Sequence, residues 1–355
     1  MTSPTRISLA LGGGGARGYA HIGVIQVLEE RGYEIVGISG TSIGALVGGI
    51  HAAGQMDTFT DWVTSLTTRD MIRLLDPSLR TPGALKGHRL MARVNELLED
   101  VRIEDLPIPY TAVATDLLAR KEVWFQEGPL PMAIRASIAL PTLFAPVMLN
   151  GRLLADGVMT DPVPIAPLSG LDVDLVVAVD LSGLPTEAGT GARTRTRESS
   201  EPRPMSEWQE KFRRTASHMM DNDTVRTLTT WLTTRRSEQE AGDGGEPATI
   251  SAESESEPVS EDFVRASGFD ELPSELGVFD VMELSLDVLQ SVVARYRLAS
   301  YPPDVMITMP KNICKTLDFH RGAELIEIGR TYAEETLANH ISLSEATHPE
   351  TRPEE

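Results

Sequence analysis

Short apolar runs and helix-spaced stripes take turns along the first half of the chain. Arg6–Leu11 is a short apolar run that reads as a buried strand. It enters the glycine stretch Gly12-Gly13-Gly14-Gly15-Ala16-Arg17-Gly18. Ile22, Ile25, Val27 and Leu28 then follow a helical pattern that stops at Gly32. Residues 33–39 form a second apolar run, which turns at Gly40-Thr41-Ser42-Ile43-Gly44 into a helix of small residues reaching about Ala53. Strand, glycine loop, helix, strand, tight turn, helix is the order of an α/β fold with a mostly parallel sheet.

The pattern continues with helices over 59–75, 88–98 and 131–138, and strands over 110–115 and 122–125. Residues 175–179 are continuously apolar and predict a central buried strand. Near the C-terminus it predicts a helix over 278–296, a strand over 305–309 and a helix over 319–339. Between these blocks, residues 184–262 turn rich in Thr, Ser, Glu, Arg and Gly. Residues 238–262 hold nine acidic residues and no basic one, and are expected to be disordered. Two helical pieces, about 205–220 and 224–236, are split by Asp221-Asn222-Asp223. The expected organisation is a core begun by 1–183, an insertion over 184–262, the rest of the same domain over 263–342, and a disordered polar tail over 343–355.

Composition narrows the class. The chain has 355 residues, 41% apolar and 24% charged, enough for a sizeable core without disulfides or metals. Cys314 is the single cysteine, which excludes an intramolecular disulfide and a cysteine zinc cluster and fits a reducing compartment. The N-terminal residues do not read as a leader, and the apolar stretch 35–53 is too diluted by Gly, Ser and Thr to read as a membrane span. The expectation is a cytoplasmic protein, with a peripheral place on the inner membrane face left open. A net charge of −20 repels phosphate backbones, so nucleic acid is not an expected partner.

Candidate chemistry starts at Gly40-x-Ser42-x-Gly44. Between a strand and a helix this is the nucleophile-elbow pattern: the glycines permit the tight turn that exposes a serine hydroxyl. The same turn with Ser42 as a helix N-cap needs no chemistry. The run Gly13-x-Gly15-x-x-Gly18 formally matches a dinucleotide fingerprint, but the second strand ends without the acidic residue that fingerprint wants. Its other use is an oxyanion hole, in which successive backbone N–H groups meet a developing negative charge, with Arg17 nearby. A serine also needs a base. Of the seven histidines, His218, His320, His340 and His348 follow plausible acids, and none stands on an obvious loop at a strand's carboxyl end. Leu153-Leu154-Ala155-Asp156-Gly157 offers a carboxylate instead, although alone it reads as an Asp-Gly turn.

Four blocks together resemble the bacterial patatin-like phospholipases. They are Gly13-Gly14-Gly15-Ala16-Arg17-Gly18 followed by Ala20-His21-Ile22-Gly23-Val24; Gly40-Thr41-Ser42-Ile43-Gly44; Arg135-Ala136-Ser137 with Pro141 and Phe144-Ala145-Pro146; and Asp156-Gly157. The resemblance spans about residues 6–183 and resumes at about 280–340. It implies a three-layer α/β/α patatin-like fold with a mostly parallel central sheet and a Ser–Asp dyad without histidine. Ser42 would be the nucleophile and Asp156 the general base. Gly13, Gly14 and Gly15 would form the oxyanion hole with Arg17 adjacent, Gly40 and Gly44 the elbow, and Ser137 and Pro141 the site wall. No metal and no organic cofactor is implied. The chain departs from the family's usual pattern at Val158, where glycine or alanine is common, and at Asp161, where asparagine commonly precedes the proline.

The expected activity is hydrolysis of lipid esters, of the phospholipase A, lysophospholipase or esterase type. The partner is then a lipid at a membrane surface or in a micelle. The alternatives are an acyltransferase using the same acyl-enzyme and a non-catalytic lipid-binding regulator. Two segments combine basic and apolar residues as an interfacial surface would: 69–93, with six basic residues against two acidic, and the insertion helices with Trp208, Phe212 and Trp231. Packing of those helices on the domain, or on a second subunit as a homodimer, is the competing expectation.

Overall fold

In the computed structural model, which describes residues 3–75, 83–85, 87–184 and 278–347, strand Arg6–Leu11 (β1) lies inside an eight-stranded sheet. Its neighbours Glu34–Thr41 (β2) and Leu175–Gly183 (β9) pair with it in parallel. Tyr110–Asp116 (β4) continues the parallel set beyond β2, and Val305–Pro310 (β10) beyond β9. Lys121–Phe125 (β5) and Arg152–Asp156 (β8) run antiparallel to β4, and Val147–Leu149 (β7) antiparallel to β8. Gly83–Leu85 (β3) and Thr142–Phe144 (β6) pair separately in parallel.

Period-two alternation sorts the sheet's side chains into two layers. Ile7, Leu9, Leu11, Val177, Val179, Ile307 and Met309 enter one large core. Helices Ala20–Glu30 (α1), Ile43–Ala52 (α2), Met56–Ser65 (α3), His88–Leu98 (α5), Leu130–Ser137 (α6) and Gly322–Thr347 (α8) supply the rest of it. Each fully buried aliphatic side chain contributes about 1.5–3 kcal/mol. Ala10 and Ala178 point the other way, against Val163, Ile165, Leu168 and Leu298, the last on helix Val278–Ser300 (α7). The outcome is a central sheet flanked by helices on both faces.

Helix α1 is buried nearly all round because α8 covers the side turned from the sheet. A Cβ at Gly23 would stand 2.0 Å from the Ile326 carbonyl, and one at Gly329 2.0 Å from the Ala20 carbonyl. The two helices therefore cross backbone to backbone at two glycines, and Arg330 closes the contact with a two-pronged ion pair to Glu30 (2.6 and 2.9 Å).

The helix expected over 59–75 is two helices, α3 and Thr68–Leu75 (α4). Thr67 and Asp70 exchange reciprocal hydrogen bonds of 2.6–3.3 Å, a capping arrangement that starts a new helix inside a continuous apolar pattern. Met71, expected on the basic interfacial segment, is buried. The last helix runs to Thr347, into the stretch expected as tail.

The chain divides into two units, Met1–Arg195 with Val281–Glu355, and Thr196–Asp280. The expected insertion helices and acidic stretch lie outside the described residues. Among the described residues no helix is long and apolar enough to cross a membrane.

Candidate active site

The site is built where β2 ends. Ser42 takes φ 57° and ψ −125° between β2 and α2. A side chain in that region costs of order 1–3 kcal/mol and persists only when its surroundings hold it. Two glycines allow it through close backbone approach. A Cβ at Gly40 would meet the Gly44 carbonyl at 2.4 Å, and one at Gly44 would meet the Leu11 carbonyl at 2.1 Å. Ser42 occupies the N-cap position of α2, but its side chain makes no capping bond. The hydroxyl instead donates to Asp156 Oδ2 at 2.6 Å.

Edge sharing on β4 explains that meeting. β5 occupies one edge of β4 from Ala112 to Asp116. β2 and β8 must therefore share the other edge, β2 as far as Thr41 opposite Val113, and β8 ending with Asp156 opposite Ala114. The two strands run head to head, so the residue after Thr41 and the last residue of β8 are neighbours although 114 positions apart.

Asp156 is fully buried. Its Oδ1 accepts the Val158 N–H (2.9 Å), its N–H donates to the Ala139 carbonyl (3.0 Å), and its carbonyl accepts the Thr115 hydroxyl (2.9 Å). Burial pushes its carboxyl up to about 7, against the opposing pull of the bonds from Ser42 and Val158. A carboxyl raised that far can exchange a proton near neutrality. The neighbouring loop is tied to the elbow as well, since Thr41 Oγ1 donates to the Asp161 carbonyl at 2.7 Å.

Ser137 lies closer to Ser42 than a wall residue would. Its buried Oγ accepts the Ser42 N–H (2.9 Å) and donates to the Val113 carbonyl (2.6 Å), which clamps the strained residue to β4. Ser137→Ala leaves the half-buried Ser42 N–H without its partner, which costs about 1 kcal/mol. We expect that change to lower the melting temperature and to slow Ser42 acylation about tenfold, measured as labelling rate per folded protein. Pro141 is half-buried, four residues further on, at the turn into β6.

The glycine loop passes over the elbow: a Cβ at Gly13 would be 3.3 Å from Ser42 Cβ and 2.1 Å from Val158 Cγ1. The bulk of Val158 is thus matched by the missing side chain at Gly13. The expected donor set needs a correction here. The Gly12 N–H goes to the Val179 carbonyl (3.0 Å), the Gly13 N–H to the Pro162 carbonyl (3.0 Å) and the Ala16 N–H to the Thr316 carbonyl (2.9 Å). Among the described residues this leaves Gly14 and Gly15 as the loop's open N–H donors. Gly15 has φ 59°, and a Cβ there would strike the Thr316 carbonyl at 2.6 Å. Arg17 Nη1 donates to the carbonyls of Lys311 (3.1 Å) and Cys314 (3.4 Å), tethering the loop to the segment after β10.

His21 supports the loop from beneath, with Nε2 at 2.8 Å from the Gly12 carbonyl. Burial lowers its pKa to about 4, so the ring is neutral, and its partner being an acceptor fixes the proton on Nε2. The residues that the sequence did not single out are Thr115, Ala139 and Thr160. Thr115 and Ala139 bond to the Asp156 backbone and Thr160 to the Thr115 hydroxyl, through carbonyls and hydroxyls that any buried strand or turn carries, so no pattern marks them.

A patatin-like phospholipase family model matches residues 9–169, which contain Ser42, Asp156, Ser137 and the glycine loop. An NTE family protein of Mycobacterium tuberculosis is 46% identical over 341 residues, 95% of this chain and 92% of that protein. Lysophospholipase NTE1 of Kluyveromyces lactis is 34% identical over 186 residues, 50% of this chain and 13% of that protein. Among solved structures, VipD from Legionella pneumophila aligns with a TM-score of 0.48 at 16% identity, over 96% of this chain and 67% of that one. With the length and identity of the mycobacterial match and the family model over Ser42, Asp156 and the glycine loop, the chain belongs to the NTE family and carries a patatin-like phospholipase domain.

Proposed function

We propose that this chain hydrolyses lipid esters through a covalent acyl-enzyme on Ser42. The 2.6 Å hydrogen bond from the Ser42 hydroxyl to the buried Asp156 carboxylate carries the reading. Ser42 Oγ attacks the ester carbonyl carbon as its proton passes to Asp156 Oδ2. The resulting oxyanion is held by the N–H groups of Gly14 and Gly15. Collapse expels the alcohol, which takes the proton from Asp156 and leaves the acyl group on Ser42. Water then gives a proton to Asp156 and attacks the acyl carbonyl. The fatty acid leaves, and Asp156 returns the proton to Ser42. The lysophospholipase name of the Kluyveromyces relative supports a phospholipid or lysophospholipid as substrate, met at a membrane surface or in a micelle.

The test is a fluorophosphonate probe read by mass spectrometry. An adduct on Ser42, absent in Ser42→Ala, is expected. Its rate of formation should rise with pH, because only the carboxylate form of Asp156 accepts the proton, with a midpoint near its raised value of about 7. A folded wild-type protein without adduct, or a rate flat from pH 5 to 9, would contradict the assignment.

A further inference from the structure

We propose that Arg297 is a positioning residue for the Asp156 base, acting through the Thr160 carbonyl. This inference rests on the dyad reading above. Arg297 stands in the last turn of α7 and reaches two segments far from it in sequence. Its Nε donates to the Thr160 carbonyl at 3.2 Å, its Nη2 forms an ion pair with Glu122 on β5, and its Nη1 is 4.0 Å from Asp161 Oδ2.

Thr160 connects that contact to the base. Thr115 has one hydroxyl proton and spends it on the Asp156 carbonyl, so the Thr160 hydroxyl donates in the 2.9 Å contact between the two, the nearer of its two acceptors, with the Gly157 carbonyl at 3.4 Å. Asp156 thus lies at one end of a loop whose other end is held by Arg297. Asp161 explains why an arginine is there. Its carboxylate is 1% exposed, and neither oxygen has a hydrogen-bond partner among the described residues. Such a carboxylate is tolerated only with a cation at hand. Arg297 provides it, shared with Glu122, and the planar guanidinium can face both acids while Nε stays on the carbonyl. Burial raises the Asp161 carboxyl to about 7; Arg297 pulls it down and Glu122 pushes it up. The guanidinium therefore fastens the base loop to the β4–β5 hairpin, from a helix that the chain reaches more than a hundred residues later. Small displacements of a reacting group are expensive in rate, about 100-fold for 1 Å.

The experiment uses the full chain and follows Ser42 labelling by a soluble fluorophosphonate over a range of probe concentrations. Arg297→Gln is expected to lower the maximal labelling rate about tenfold and to leave the half-saturating probe concentration within about twofold. Arg297→Lys keeps a cation between Glu122 and Asp161 and should stay within about threefold of wild type. A purely structural role would lower the melting temperature of Arg297→Gln and leave the maximal rate per folded protein unchanged, and that result overturns the proposal. If Arg297→Gln does not fold, Glu122→Gln removes only the outer partner. A loss of about threefold then supports the proposal and a wild-type rate overturns it. Absence of a Ser42 adduct in wild type would bring down the dyad reading and this inference together. A labelled wild type with an equally fast Arg297→Gln would bring down this inference alone.

Discussion

Changing Asp156 to asparagine is expected to slow Ser42 acylation by about 10,000-fold and, at pH 8, to make the protein more stable. Asparagine keeps the shape of the side chain and can still meet Ser42 Oγ and the Val158 N–H, but it cannot take a proton. Loss of proton acceptance in an otherwise intact serine site costs about four orders of magnitude. The stability change has the opposite sign. The Asp156 carboxyl is raised from 3.8 in the free residue to about 7 in the folded protein. Between those values the folded state binds the proton more tightly than the unfolded chain, so stability falls as pH rises through that window. A shift of that size is worth up to about 4 kcal/mol. Asp156→Asn should therefore match wild type near pH 4 and exceed it by about 2–4 kcal/mol at pH 8, measured by denaturant unfolding at both pH values. An equally unstable variant at pH 8 would mean that the carboxylate is not held at a cost. Activity and stability then pull one residue in opposite directions, which is common where a site needs a group in an unfavourable place.

Gly44→Ala should abolish labelling of Ser42 and destabilise the protein by about 2–4 kcal/mol. Helix propensity alone points the other way, since alanine inside α2 would gain about 1 kcal/mol over glycine. The added methyl, however, would lie 2.1 Å from the Leu11 carbonyl oxygen, 2.6 Å from its carbon and 2.8 Å from the Gly12 carbonyl. All three are backbone atoms, so no side chain can rotate away. Either the first turn of α2 must move off the sheet, or the end of β1 must move with the glycine loop. Both movements separate Ser42 from the open N–H groups of Gly14 and Gly15. Gly170→Ala is the control, because a Cβ there meets nothing within 4 Å; its stability should stay within about 0.5 kcal/mol of wild type. A Gly44→Ala protein that labels at the wild-type rate would show that the elbow tolerates a wider turn than its geometry implies.

How far the chain could be read without coordinates depended on how local each cause is. The spacing of Gly40, Ser42 and Gly44 was legible because the turn must bring residues four apart into backbone contact, and only glycine allows it. The parallel strands were legible from their apolar runs. Asp156 was ambiguous between turn and base, and in the fold its carboxylate faces both ways, with Oδ1 closing the Asx turn on Val158 and Oδ2 accepting from Ser42. The division of labour within the glycine loop was not legible. Whether Gly13 can offer its N–H depends on the Pro162 carbonyl, about 150 residues away, which takes it. The sharing of one β4 edge by β2 and β8 is likewise decided by where β5 pairs, a non-local fact with no pattern in either strand. The break at Thr67 had a signature, Thr-x-x-Asp, hidden within a helical stripe that runs past it.

The glycine crossing of α1 and α8 bears on when the site is completed during synthesis of the chain. Ser42 and Asp156 leave the ribosome with the first half of the chain. The bond that holds the Ala16 N–H, and with it the glycine loop, comes from Thr316, and α1 gains its second wall only from a helix whose Arg330 is 300 residues beyond Glu30. Contacts of such separation form late and slowly, after the intervening chain has been ordered. A growing chain therefore holds Ser42 and Asp156 before the glycine loop is fastened over them, and the site is complete only once α8 docks.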